Sequence, residues 1–225
     1  MSFEFDGVEN QCIIGEGVSL TGWIRGRGNV VKIDKSINES KIDLRINGNY
    51  NLVTIYQPFA IKSLSISIGN HIPAHSAEMV VGEGFSIEGG GSFLLYNSGN
   101  KLNIGKNCMF SNMVTIRCGE SPHLLFDRVT GDYLDISDGV SVGDHVWVGE
   151  KCYLTKRVQI PSECVIAACS VVTKKFDQSH SVIAGNPARV VRENIEWVRN
   201  HSHLVDGSPY DISYKKCADK YKIFR

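Results

Sequence analysis

One histidine lies in a short segment that interrupts the repeating sequence pattern in the second half of this chain. His123 lies in the segment Ser121-Pro122-His123-Leu124, which has none of the repeating pattern found on either side of it. An imidazole with a pKa near ~6.5 is largely neutral at pH 7 and can take the proton of a hydroxyl as a new bond forms. His123 is therefore a candidate general base, and a solvated loop histidine is the alternative interpretation.

Small and basic residues after this segment could hold a long phosphate-bearing ligand. Gly149 and Ala168 would keep a strip of surface flat, which lets a strand-like ligand approach the backbone. Lys156 and Lys174 are spaced so that they would stack into a basic strip suited to phosphates. Each lysine could equally be a solvated surface charge. Trp147 could contact a ligand or pack against another subunit.

The element that must position these residues repeats every six positions, which is typical of a three-sided parallel β-helix. A second apolar or small column follows the first by four residues, including Cys152 and Cys164, which we expect to be buried and reduced. The first column is Ile136, Val142, Val148, Leu154, Ile160, Ile166 and Val172.

Three hexapeptides make one coil, so residues one coil apart should stack as neighbouring strands. The phase breaks once, because the step from Ile116 to Ile136 is two positions longer than one coil. We predict a loop over about 118–135 that leaves the prism at one corner. We expect irregular capping coils over residues 1–80, a β-helix domain over 1–192, and a C-terminal helix and tail over 193–225. The spacing of Val191, Ile195 and Val198 predicts a helix between residues 189 and 200.

The composition narrows the class of protein. The 24 Lys and Arg residues balance 24 Asp and Glu residues, which argues against nucleic acid as the main partner. No apolar run is long enough for a membrane span, and the N-terminus lacks a secretory pattern, so we expect a cytoplasmic protein. The 7 cysteines include no C-x-x-C pair, which argues against a zinc ribbon.

The segment from residue 141 to 192 resembles the hexapeptide-repeat acyltransferases. It contains His145-Val146-Trp147-Val148-Gly149, then Ser170-Val171-Val172-Thr173-Lys174, then Gly185-Asn186-Pro187-Ala188-Arg189. The arrangement of His123, Phe126 and Asp127 is closest to O-acetyltransferases of bacterial capsule and lipopolysaccharide sugars. The resemblance implies a left-handed β-helix, acetyl-CoA as acyl donor, no metal, and a homotrimer with active sites between subunits.

The resemblance also implies roles for individual residues. His123 would be the catalytic base, with Glu120 or Asp127 as the orienting carboxylate, and Trp147 would lie against the acetyl-pantetheine arm. Asn112 and Ser111 are candidates for sugar contacts, although asparagine also caps such corners. His145 could face the same groove. The residues expected to bind the donor are Trp147, Gly149, Ala168, Thr173, Lys174, Arg189 and Arg192.

Two other activities are compatible with this type of fold. One is N-acetylation of an amino sugar on a nucleotide carrier, which would use the same base. The other is a metal-dependent β-helix of the γ-carbonic anhydrase type, which needs three converging histidines. His71 and His75 are close in sequence, but the expected third partner is missing from the spacing.

Overall fold

A computed structural model describes residues 3–221. The chain divides into two compact units, Met1–Ile195 and Glu196–Arg225. The first unit is built almost entirely of short parallel strands. The strands are β1 (Phe3–Asp6), β2 (Gln11–Ile14), β3 (Val18–Arg25), β4 (Val30–Ile33), β5 (Ser40–Asn47), β6 (Leu52–Ile55), β7 (Ala60–Ile61), β8 (Leu64–Ile68), β9 (Glu78–Val81), β10 (Ser86–Gly89), β11 (Gly91–Leu95), β12 (Lys101–Ile104), β13 (Met109–Asn112), β14 (Thr115–Arg117), β15 (Gly139–Val142), β16 (Trp147–Val148), β17 (Tyr153–Leu154), β18 (Gln159–Ile160), β19 (Val165–Ile166), β20 (Val171–Val172), β21 (Val182–Gly185) and β22 (Ala188–Arg192).

The strands form three sheets, which are the faces of a triangular prism. Face 1 has the order β1-β3-β5-β8-β11-β14-β17-β20. Face 2 has the order β18-β15-β12-β9-β6-β4-β2, and face 3 has the order β22-β21-β19-β16-β13-β10-β7. Strands β1 to β5 alternate between faces 1 and 2, and from β6 to β20 the chain visits faces 2, 3 and 1 in rotation. A 1–2 corner therefore follows each face 1 strand, and a 3–1 corner follows each face 3 strand from β7 to β19.

The predicted inner columns fill the prism. Every member from Val142 to Val172 in the first column is buried, as are Val140, Cys152 and Phe176 in the second. Ile136 is the exception, because it is 62% exposed and belongs to the loop rather than to the column. The column begins at Val142, where Ser141 and Val142 pair with Gln159 and Ile160.

The coils over residues 3–80 vary in length, but their strands continue the sheets of the prism. Strands β1 to β9 lie in the same three sheets as the later coils. Their coils are longer, since Val18 pairs with Ser40 and Leu52 with Glu78. A search for residues spaced by three hexapeptides therefore does not detect these early coils. Their inward side chains are nevertheless apolar and buried, as in Ile42, Leu44 and Ile46.

The predicted helix between residues 189 and 200 is wrong, because none of these residues is helical. Residues Ala188–Arg192 form β22, which pairs antiparallel with β21. The turn at Gly185-Asn186-Pro187 folds the chain back on itself, so β22 bonds to the last parallel strand of face 3. Tertiary pairing of an edge strand thus overrides a spacing that suits a helix.

The second unit contains a short 3-10 helix, His201–His203, and the α-helix α1, Pro209–Tyr221. The side chain of Asn200 caps the 3-10 helix by accepting from the Ser202 amide at 3.0 Å. In α1, the Lys215 ammonium pairs with Asp206 at 2.8 Å and with Asp211 at 2.9 Å. Within residues 3–221, no helix combines the length and the apolar character needed to span a bilayer.

Candidate active site

The loop that carries His123 is an insertion at a 1–2 corner. Thr115 of β14 pairs with Tyr153 of β17, and Tyr153 in turn pairs with Val171 of β20. The coil that contains the loop is more than twice as long as the coil that follows it. Apart from the isolated Phe126–Tyr133 bridge, the residues between Arg117 and Gly139 form no strand.

Two asparagines of earlier coils hold the start of this loop. The Asn70 side-chain amide donates to the Ser121 carbonyl at 2.8 Å, and the Ser121 amide donates to the Asn97 side chain at 3.0 Å. The Ser121–Pro122 peptide bond is cis. Both backbone groups of Ser121 are thus bonded to the prism, two residues before His123.

The His123 side chain is exposed, and its backbone amide donates to the Glu120 carbonyl at 3.1 Å. Glu120 pairs instead with Arg117 at 2.7 Å. The Asp127 carboxylate accepts from the Val129 amide at 2.7 Å and the Thr130 amide at 2.8 Å. These amides hold the pKa of Asp127 below its usual value. Within residues 3–221, neither candidate carboxylate bonds to the His123 imidazole.

Beyond His123 the loop forms a small hairpin with an apolar exterior. The Leu134 amide donates to the Leu125 carbonyl at 2.8 Å, and the rings of Phe126 and Tyr133 lie 5.5 Å apart. Leu124, Leu125 and Phe126 are nevertheless exposed, and Val129 is 93% exposed. A cluster of exposed large apolar side chains is typical of an interaction surface.

A buried ion pair holds the returning end of the loop. The Asp135 side chain is 2% exposed, and its carboxylate pairs with the ammonium of Lys156. Lys156 was expected to lie in a basic strip with Lys174. Its charge is instead neutralised by Asp135, because the loop returns directly over the corner that Lys156 occupies.

Trp147 and the two candidate sugar contacts lie together on face 3. Trp147 is 37% exposed, and its indole N–H donates to the Ser111 hydroxyl at 3.3 Å. Asn112 ends β13 with an exposed side chain, and its carbonyl accepts from the Lys151 amide at 2.9 Å. His145 precedes this group at the corner, with its Nδ1 2.5 Å from Glu163 Oε2.

Gly149 and Ala168 are stacked at the 3–1 corner after face 3. A Cβ built on Gly149 would lie 2.6 Å from the Ala168 backbone nitrogen. Glycine is therefore required here for the close approach of two successive coils, whatever ligand lies outside. Ala168 itself is exposed.

The remaining predicted donor residues lie elsewhere on the prism. Thr173 and Lys174 are exposed at the 1–2 corner after β20, and the Lys174 ammonium lies 5.1 Å from the Phe176 ring centre. Arg189 and Arg192 are exposed on β22, where they pair in register with Ala184 and Val182. The residues predicted to bind the acyl donor are thus divided among the 3–1 corner, the 1–2 corner and face 3.

The histidines considered for a metal site do not form one. His71 is exposed, and the His75 ring nitrogen accepts from the Asn49 amide at 3.1 Å. Within residues 3–221 there is no group of three or more His, Cys, Asp or Glu side chains placed to hold a metal ion.

Three residues that support the loop were missed by sequence reasoning. Asn70, Asn97 and Asp135 carry no local pattern, and their bonding partners lie in other coils, far away in the chain. The one feature of the sequence that could have pointed to these residues is that they lie close to breaks in the six-residue period.

No family model matches the chain. It is 30% identical over 209 residues to a polysialic acid O-acetyltransferase of Neisseria meningitidis, covering 85% of this chain and 96% of that protein. It is 26% identical over 131 residues to a polysialic acid O-acetyltransferase of Escherichia coli O1:K1 / APEC, covering 58% of this chain and 41% of that protein.

Among solved structures, the polySia-specific acetyltransferase NeuO superposes with a TM-score of 0.79 at 23% identity, covering 96% of this chain and 97% of that one. This similarity shows the fold, a left-handed parallel β-helix of about 8 turns. One protein family accounts for the inward columns, the corner loop and the similarity along most of both chains. The chain belongs to the hexapeptide-repeat acyltransferases, in the group of bacterial capsule-sugar O-acetyltransferases, and is an acetyl-CoA-dependent O-acetyltransferase.

Proposed function

We propose that this enzyme transfers acetyl from acetyl-CoA to a hydroxyl of a bacterial surface polysaccharide, with polysialic acid as the first acceptor to test. The main observation behind this proposal is the corner loop that presents His123. The loop belongs to a chain that is 30% identical to a polysialic acid O-acetyltransferase. In the proposed reaction, His123 takes the proton of the acceptor hydroxyl as that oxygen attacks the thioester carbon. The C–S bond then breaks, and the imidazolium returns the proton to the departing CoA thiolate.

Two loop attachments support this role for His123. The Asn70 and Asn97 bonds hold Ser121, and the Lys156–Asp135 pair holds the returning end of the loop. A general base must stay within reach of one hydroxyl, so a loop fixed at both ends is better suited to catalysis than a freely solvated one. The exposed imidazole also remains open to an acceptor.

We propose that each active site forms between two copies of the chain in a homotrimer. His123 extends from a 1–2 corner, whereas Trp147 lies on face 3, which is the side of the triangle opposite that corner. One prism therefore presents the base and the tryptophan in different directions. The exposed Leu124, Leu125 and Val129 would be covered by the neighbouring prism.

In this arrangement the donor lies along the prism beside Trp147. The indole would contact the acetyl-pantetheine arm, and the small residues Gly149 and Ala168 would let its amides approach the backbone. The exposed Arg189 and Arg192 continue face 3 toward its end and would pair with the nucleotide phosphates. Thr173 and Lys174 would do so from the other prism, and Asn112 would contact the acceptor sugar.

We place the enzyme in the cytoplasm, where acetyl-CoA is made. The cysteines of the described residues form no disulfide, and Cys108, Cys118, Cys152 and Cys164 are buried. Reduced thiols are usual in that compartment.

The direct test measures CoA release and O-acetyl mass on polysialic acid, with a nucleotide-linked amino sugar as the alternative acceptor. We expect O-acetylation of the polymer, and a loss of about 10²–10⁴-fold in kcat for His123→Ala. The matched control is His71→Ala, another exposed histidine that should keep wild-type turnover. Full activity in His123→Ala would overturn the assigned base, and acetylation of the amino sugar alone would overturn the acceptor class.

A mixing experiment tests the shared site. His123→Ala and Trp147→Ala chains, unfolded and refolded together, should regain activity in about one quarter of the sites, because a random trimer pairs an intact loop with an intact face 3 at that frequency. Each variant refolded alone is the control. A mixture no more active than the two separate variants would mean that each site lies within one chain.

A further inference from the structure

The outer surface of face 1 carries a continuous row of short polar side chains. Register pairs join them strand by strand across β3, β5, β8, β11 and β14. At about 4.8 Å per strand, the row extends roughly 19 Å along the prism. Its members are Thr21, Asp43, Ser65, Ser92 and Thr115.

A groove follows the first part of this row. It has a volume of about 400 Å³, and hydroxyl groups dominate its polar lining. The floor includes Gly90 and Gly91, and Gly90 has no atom closer than 3.4 Å to where a Cβ would lie. The hydroxyl-bearing residues that line it are Ser19, Thr21, Ser63, Ser65 and Ser92.

Basic residues outnumber acidic ones on the same strands. Strands β3, β5, β8, β11 and β14 contain Arg25, Lys41, Arg45 and Arg117, against Asp43 as the one acidic residue. The edge strand β1, which lies outside the groove, adds Glu4 and Asp6.

Lys41 is the cation best placed for a ligand. It lines the groove, its side chain is exposed, and it has no ion pair within residues 3–221. Arg45, two outward positions along the same strand, pairs with Asp43 at 2.9 Å while remaining 55% exposed. Lys41 can therefore approach a carboxylate in the groove, and Arg45 is exposed on the same strand.

This combination matches one kind of ligand. Hydroxyl groups spaced at regular intervals can each donate and accept, which suits the hydroxyls of a sugar chain. The surplus of cations adds charge-assisted bonds to carboxylates. A neutral polysaccharide would leave the cations unused, and a simple polyanion would leave the hydroxyl row unused.

The row also leads to the catalytic loop. Thr115 belongs to β14, and the loop that holds His123 leaves the prism directly after β14. Arg117, the last residue of that strand, lies at the loop entrance and pairs with Glu120. A polymer on face 1 would thus be directed toward the base on the same chain.

We propose that the outer groove of face 1 is a binding track for an extended acidic polysaccharide, separate from the reacting sugar. This inference rests on the proposed function, since it deepens the acceptor class of that site. The track holds sugars that are not being acetylated, and so raises the affinity for a polymer over a short oligosaccharide.

The test compares KM for long polysialic acid with KM for a sialic acid trisaccharide. Lys41→Glu should raise KM for the polymer about tenfold, because it replaces an attractive charge with a repulsive one. Ser65→Tyr, which fills the groove at a position where β-sheets accept aromatic residues, should do the same. Lys32→Glu, exposed on strand β4 of face 2, is the matched control and should keep both KM values within about twofold.

The outcomes separate this proposal from the proposed function. A wild-type enzyme that acetylates neither saccharide contradicts the proposed function, whereas wild-type KM for the polymer in both groove variants contradicts the track. Sedimentation that differs between Lys41→Glu and wild type would show that another copy covers this face, and would overturn the track. Inhibition by polyglutamate as strong as that by polysialic acid would show recognition of charge alone, and would also overturn it.

Discussion

The early and late coils of the prism both turn at residues with positive φ, and differ in the side chains that support their corners. In the late coils, residues with positive φ recur every six positions, at His145, Lys151, Arg157, Glu163 and Cys169. The backbone itself makes these turns, and the coil length stays at three hexapeptides, as in the pairing of Trp147 with Val165.

In the early coils the 1–2 corner also has residues with positive φ, such as Tyr50, and asparagine side chains add bonds across it. The Asn29 side-chain oxygen accepts from the Asn51 amide at 3.0 Å and from its side chain at 2.9 Å. Asn10 does the same for Asn29, and the Asn51 oxygen accepts from the Ala77 amide at 2.9 Å. Each asparagine thereby satisfies backbone groups of the next coil.

The difference explains how the two regions divide the proposed work. Corners held by side chains tolerate coils of different length, as the pairings of Val18 with Ser40 and Leu52 with Glu78 show. Those coils have room for a groove and for the Asn70 and Asn97 contacts with the loop. The uniform late coils instead present Trp147 and Gly149 at fixed spacing, which suits one extended donor.

The loop is attached to both regions, and its attachment to the late coils should be the stronger one. Lys156→Met leaves the buried Asp135 carboxylate without its cation, and should lower the free energy of unfolding by about 3–5 kcal/mol. Chemical denaturation measures this change. Lys151→Met, which removes a lysine paired on the surface with Glu150, is the control and should cost little. Equal effects from the two changes would contradict a buried ion pair.

Breaking the side-chain bonds of the stacked asparagines in the early coils should lower the free energy of unfolding more than shortening one apolar side chain of the late coils. Asn51→Ala removes the acceptor for the buried Ala77 amide and the side-chain bonds to Asn29 and to the Ala74 carbonyl, and should cost about 3 kcal/mol. Ile160→Val should cost about 1 kcal/mol. Both are measured by urea denaturation at pH 7. An Asn51→Ala variant no less stable than Ile160→Val would show that water replaces the hydrogen bonds of the Asn51 side chain.

The smallest expected effect is a pH dependence at the loop entrance. Burial raises the pKa of Cys118 from 9.0 to about 12. The unfolded chain loses this proton first, so the stability due to the buried thiol is complete below pH 9 and declines as the pH rises toward 12. Between pH 8 and pH 10 the loss should be about 1.4 kcal/mol from this thiol.

Denaturation of wild type and Cys118→Ala at both pH values isolates that contribution, because every other titrating group is shared. The alanine variant should lose less stability over this interval. An identical loss in the two proteins would mean that the Cys118 thiol ionises normally in the folded chain.

Sequence reasoning recovered the parts of this molecule that repeat locally. The six-residue columns predicted the buried residues from Val140 to Phe176, and the lost phase located the loop that begins after Arg117. Ile136 fitted the spacing by coincidence, because a single apolar residue in a loop cannot be distinguished from a column member. The catalytic role of His123 and the donor-binding role of Trp147 stay predictions from the resemblance.

By itself, the sequence determined the β-helix, the uniform late coils and the place of the inserted loop, because each depends on side chains a fixed short distance apart. Only the tertiary structure decided that residues 3–80 continue the three sheets, which residue pairs with Lys156, and that the His123 loop leaves a 1–2 corner while Trp147 lies on face 3. Those features depend on contacts such as that of Asn70 with Ser121, which joins stacked coils far apart in the chain. No local period records such contacts, since the number of residues in each early coil can change while its corner bonds are kept.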